Sequence, residues 1–170
     1  MKWCFLFGAT VFAFGASQQS MLRPVDSVRF FKKWTRLTVS PAYVPDKVSY
    51  LCRGPMPHEA ANPHMSNWIH VYVNPIGEKA AASGGKVEFP PGSTLVKTKF
   101  AKKEGSKVEI MTVMIKGKKG SQPKTGDWQF LVMNGDGTIT IEDKRVEHCW
   151  TCHKEQANKD FAFLNYVMPK

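Results

Sequence analysis

WQFLVMNGDGTITIE, residues 128–142, is the stretch on which the reading of the fold turns. An aromatic and β-branched run, Trp128 to Asn134, meets Asn134-Gly135-Asp136-Gly137. Asn and Gly there supply the positive-φ positions of a hairpin turn. Thr138–Glu142 then reads as the return strand. Working outward, Gly126 opens this unit. Glu109–Lys116 precedes it as a strand apolar on both faces, which belongs between two packed layers. Pro90, Pro91 and Gly92 make a turn before a strand at Ser93–Phe100. Ile69–Asn74 is β-branched and aromatic and reads as another strand. Gly77–Ser83 has room for one or two helical turns before Gly84 and Gly85 break it. Residues 51–68, rich in Pro, His and Asn, read as a long loop. Nearer the start, Asp26 is placed to cap a helix beginning at Ser27, with Val28, Phe31 and Trp34 on one face over about three turns. Pro41 and Pro45 stop anything regular beyond it. The fold class is therefore α+β, mostly β. About five short strands form an antiparallel sheet, with an N-terminal helix and a C-terminal helical turn.

The chain has 170 residues, enough for one domain, and 42% hydrophobic residues, enough for an ordinary core. Lys and Arg number 24 against 14 Asp and Glu, a formal net charge of +10. Such a surface attracts anionic partners, an acidic redox protein among them. The charge is dispersed, and neither a groove-reading motif nor the signature of an RNA-binding sheet is present, which argues against nucleic acid. Lys2, the apolar run Trp3–Phe14 and small Gly15, Ala16 and Ser17 follow the order of a secretory signal. An uncleaved anchor is the alternative, although the run is shorter than the roughly 20 residues of a bilayer span. Residues 1–17 are read as a signal, 18–170 as a single domain, and the destination as the periplasm or another exported location. Cys4 leaves with the signal. Cys52 is then an odd thiol beside the pair at 149 and 152.

Cys149-Trp150-Thr151-Cys152-His153 is a C-x-x-C-H run, the spacing of c-type haem attachment. Two thiols three positions apart on a helical turn each add to one haem vinyl group, and the next residue offers its imidazole to the iron. Cys149 and Cys152 are thus the candidate attachment residues for one covalent haem c, and His153 the candidate metal ligand. Structural zinc, a thioredoxin-like pair and a local disulfide are the alternatives. Zinc needs a fourth ligand, and a thioredoxin-like pair belongs early in a chain. Met56, Met65, Met111, Met114, Met133 and Met168 are candidate sixth ligands or core filling.

Several further stretches carry a family resemblance. They are Phe31–Thr38, His70–Pro75, Phe89-Pro90-Pro91-Gly92-Ser93-Thr94-Leu95-Val96-Lys97, Thr112–Lys116, Gly126-Asp127-Trp128, the C-x-x-C-H run and Asp160–Phe163. In this order and spacing, over about residues 28–166, the chain resembles the cytochrome P-460 family and its cytochrome c-prime-beta relatives. The resemblance implies an antiparallel sheet with helices and a homodimer. It also implies a lysine cross-linked to the haem edge in the name-giving members, at the position of Lys97. Those members oxidise hydroxylamine or a related small nitrogen compound and pass the electrons on. Their distal carboxylate aligns near Thr112, and the chain departs from the pattern there. A carboxylate would accept the protons that oxidation releases. The resemblance thus gives oxidation of hydroxylamine or a related small nitrogen compound as the first reading, with distal candidates Thr112, Met111 and Phe89. The apolar distal side, Val113, Met111 and Phe89, supports the alternative, a haem that binds nitric oxide or another small gas or only transfers electrons.

Overall fold

A computed structural model describes residues 24–43, 68–105, 107–141 and 146–164. The N-terminal helix α1, Pro24–Ser27, runs directly into a 3-10 segment, Val28–Lys33. It starts upstream of the expected cap, because Pro24 suits a first helical position, where a missing N–H leaves no bond unmade. Asp26 accordingly lies inside the first turn. The remaining elements are β1 (Thr35–Arg36), β2 (Ala42–Tyr43), β3 (Trp68–Val73), α2 (Glu78–Ala81), β4 (Thr94–Phe100), β5 (Ile110–Lys116), β6 (Trp128–Asn134), β7 (Ile139–Ile141) and α3 (Val146–His153). A 3-10 segment, Lys154–Lys159, follows α3.

All strand pairings are antiparallel, in the order β1-β3-β4-β5-β6-β7, with β2 also on β3. The five expected strands correspond to β3–β7. β1 and β2 are additional, and at two residues each they are too short to leave a periodic signal. The chain leaving the helix runs back along β3. Between its two short pairings, Leu37 N–H donates to the Val71 carbonyl (2.8 Å) and Val71 N–H donates to Thr38 Oγ1 (3.3 Å). The β6–β7 hairpin turns at Asn134–Gly137, where Gly137 alone of these residues takes a positive φ (93°), and a register shift falls between Val132 and Met133. Gly135 is required there, because a Cβ would come within 1.8 Å of the Val108 carbonyl oxygen.

Strand alternation gives the sheet two distinct faces. The register aligns Val71, Lys97, Thr112 and Val132 in one row and Val73, Leu95, Met114 and Phe130 in the next, on the same face. Phe89, Ala162 and Leu164 bury against this face, with Cys149 and Trp150 of α3 packed on the same cluster. The opposite face carries Val96, Met111, Val113, Leu131 and Met133, and Val28 and Phe31 of the N-terminal helical segment cover it. β5 therefore lies between two apolar layers. Of the expected loop 51–68, only Trp68 is described, and it opens β3; residues 51–67, Cys4, Cys52 and the segment 1–17 lie outside the described residues. Among the described residues, no helix is long and apolar enough to cross a membrane.

Candidate haem site

α3 carries Cys149, Cys152 and His153, positions i, i+3 and i+4, which share one helical face. Both thiols and the imidazole are half-buried. The His153 ring meets Phe130 of β6 edge-on at 5.0–5.1 Å, with Phe163 approaching in the same way from the returning chain. His153 Nδ1 lies 2.7 Å from the Phe161 carbonyl oxygen. A carbonyl only accepts, so Nδ1 carries the proton, and the neutral ring keeps its lone pair on Nε2. Burial brings the His153 pKa down to about 4; the Phe161 hydrogen bond opposes the shift and the Lys97 charge adds to it. The imidazole is thus neutral near pH 7, the form that binds iron.

The Phe161 carbonyl is held by an unusual backbone. Asp160 and Phe161 are both left-handed, with φ of 49° and 64°. Two such non-glycine residues in succession cost about 1–2 kcal/mol each, which surrounding contacts must offset. The Asp160 carboxylate accepts from Lys116 Nζ at 2.7 and 2.8 Å and from the Phe89 N–H at 2.8 Å. Its backbone carbonyl accepts from Trp128 Nε1 at 2.8 Å. Lys116 Nζ also donates to the Gly126 carbonyl (2.8 Å) and lies over the Trp128 ring. Each charged side chain of this pair is only 11% exposed. The Phe161 ring packs on Trp150 at 4.8 Å and directly over Gly126, where any Cβ would be 2.2 Å from it.

The sequence candidates fall on both sides of the sheet. Lys97 pairs with Thr112 across β4 and β5 on the face that α3 covers, and its charge is felt at His153. Phe89 lies in that same core, edge-on to Trp128 at 5.3 Å. Met111 and Met133 belong to the opposite core under the N-terminal helix, while Met114 lies on the α3 side. Phe130, Phe163, and the Lys116–Asp160 pair behind the Phe161 carbonyl were not singled out as site residues by the sequence. A lone charge ending the apolar run of β5 was the one visible sign of Lys116.

The donor set suits a c-type haem: two thiols and an imidazole on one helical face, the ring with Nδ1 engaged and Nε2 carrying the lone pair. A family model described as Cytochrome P460 matches residues 52–164. The chain belongs to the cytochrome P460 family. Its cofactor class is therefore haem, and the C-x-x-C-H helix lies inside the matched segment. The match begins after the N-terminal helix, so the helical cover of the far sheet face is not part of it. No match was found among curated proteins.

Proposed function

We propose that this member of the cytochrome P460 family is an exported mono-haem c-type cytochrome that binds a small nitrogen ligand of the nitric oxide class. Cys149 and Cys152 would hold the haem covalently and His153 would ligate its iron. The observation that carries this reading is the His153 Nδ1–Phe161 carbonyl hydrogen bond on the helix bearing both thiols. It fixes the tautomer and strengthens the ligand. The haem supplies an iron centre for ligand binding and one-electron exchange. The chain orients the imidazole, packs aromatic edges around it and keeps it neutral. The strand positions of the sheet face toward α3 carry Lys97, Lys99 and Lys116, and the Asp160 carboxylate lies on Lys116 there. The position aligned with the family's distal carboxylate is Thr112, a hydroxyl that is a far weaker proton acceptor, which supports binding over oxidative turnover.

One observation favours the second reading, hydroxylamine oxidation with electrons passed to an acidic acceptor. Lys97 stands close enough to His153 for its charge to act on the ring. That is where a lysine joined to the haem edge would be useful. The test is the protein matured with haem-attachment machinery in an export-competent host. Intact mass reports covalent haem; optical spectra and hydroxylamine consumption separate the readings. An ordinary c-haem spectrum, nitric oxide binding and no hydroxylamine consumption are expected. A red-shifted, broadened Soret band that Lys97→Arg abolishes, together with consumption, would establish the second reading. A colourless product would remove both.

A further inference from the structure

Among the described residues, Lys116 and Asp160 form a densely bonded polar pair beside the site. The Asp160 carboxylate takes three hydrogen bonds and Lys116 Nζ gives three, all between 2.7 and 2.8 Å. Together they join four pieces of chain: the end of β5, the Gly126 turn, the Phe89 segment and the bend after α3. Immediately beyond Asp160 comes Phe161, also left-handed, whose carbonyl receives the His153 N–H at 2.7 Å. The carbonyl's aim depends on the backbone angles at 160 and 161. Those angles are unfavourable in isolation and persist only while something over-determines them. The ion pair at Asp160 and the Trp128 bond to its backbone carbonyl supply that constraint.

We propose that the Lys116–Asp160 pair positions the axial ligand: by locking the bend at 160–161 it aims the Phe161 carbonyl at His153 Nδ1 and so tunes the iron. The inference rests on the reading of His153 as the axial ligand. A strong acceptor on Nδ1–H makes the imidazole a better donor. A better donor favours ferric over ferrous iron, so the intact pair lowers the reduction potential and stiffens the iron–histidine bond. Both effects originate on one side of the ring and change ligand affinity on the other side of the iron.

The test uses the holoprotein with Lys116→Met and Lys116→Arg. Ferrous resonance Raman gives the iron–histidine stretch, and redox titration gives the potential. Lys116→Met is expected to lower the stretching frequency. It is also expected to shift the ferric-to-ferrous stability ratio about tenfold toward ferrous, a rise of about 59 mV. Lys116→Arg, which retains a cation for Asp160, returns both values toward wild type. If Lys116→Met does not accumulate as holoprotein, Lys116→Gln, which keeps a donor for Gly126, is read in the same way. The wild type adds an independent measurement: the axial imidazole Nδ1–H is expected to exchange slowly with solvent by NMR. Fast exchange overturns the proposal. So do variants that carry haem with unmoved frequency and potential, even if they are less stable. A holoprotein whose ferrous spectrum and ligand affinity are unchanged by His153→Ala removes the axial-ligand reading itself, and is distinguishable from both.

Discussion

Gly126 illustrates how tightly single residues are constrained near the site. Its φ of +60° is left-handed, and the Phe161 ring occupies the space a side chain would need. Gly126→Ala therefore meets strain and a clash together, and is expected to destabilise the protein by about 2 kcal/mol. Denaturant unfolding of the holoprotein measures it, and a change within a few tenths of a kcal/mol would mean that Phe161 moves aside freely. A different constraint acts at His70. Burial, and next the Arg36 charge, lower its pKa from the usual 6.5, and its Nδ1 lies 2.8 Å from Thr38 Oγ1. As pH falls through 6.5 the unfolded chain takes up this proton first, so stability declines from there until the folded imidazole also protonates. Full stability from this group is present above pH 6.5. His70→Gln is expected to flatten the loss of stability between pH 7 and pH 5, and parallel curves for the two proteins would exclude His70 as its source.

At the level of elements, the sheet separates two jobs. One face packs on α3 and the site, and the other on the N-terminal helical segment through Val28 and Phe31. Phe31→Ala is expected to cost about 3–5 kcal/mol while leaving the haem spectrum unaltered. A spectral change would show that the two faces are coupled. The five longer strands were legible because each carries β-branched or aromatic residues between Gly and Pro punctuation, and the Asn134–Gly137 turn fixes one pairing outright. β1 and β2 were not legible, since two residues have no period. The helix start moved because Pro24 competes with Asp26 as the opening signal. Within the site, contiguous residues were legible: C-x-x-C-H states its own spacing. The partners 116 and 160 are 44 positions apart and meet only through the register of β5 and the bend after α3. The acceptor on His153 is a backbone carbonyl, which no side-chain pattern can announce.

On the scale of the whole molecule, the net charge of +10 governs encounters. Electron exchange with an acidic redox protein is expected to slow about tenfold between ionic strengths of about 0.01 and 0.5 M, as the Debye length falls from about 30 Å to a few ångströms. Stopped-flow mixing measures this, and a salt-independent rate would mean that the surface charge does not steer the encounter. The outer margin of β3 has a further consequence. Its middle is not left open between the two short pairings: the Leu37 amide and the Thr38 hydroxyl occupy the Val71 main-chain groups. Open margins recruit neighbouring chains into continuous ribbons. With those Val71 groups taken, β3 has no vacant middle for a neighbouring chain to extend, and any ribbon growth on this side would have to start from the two-residue strands β1 and β2.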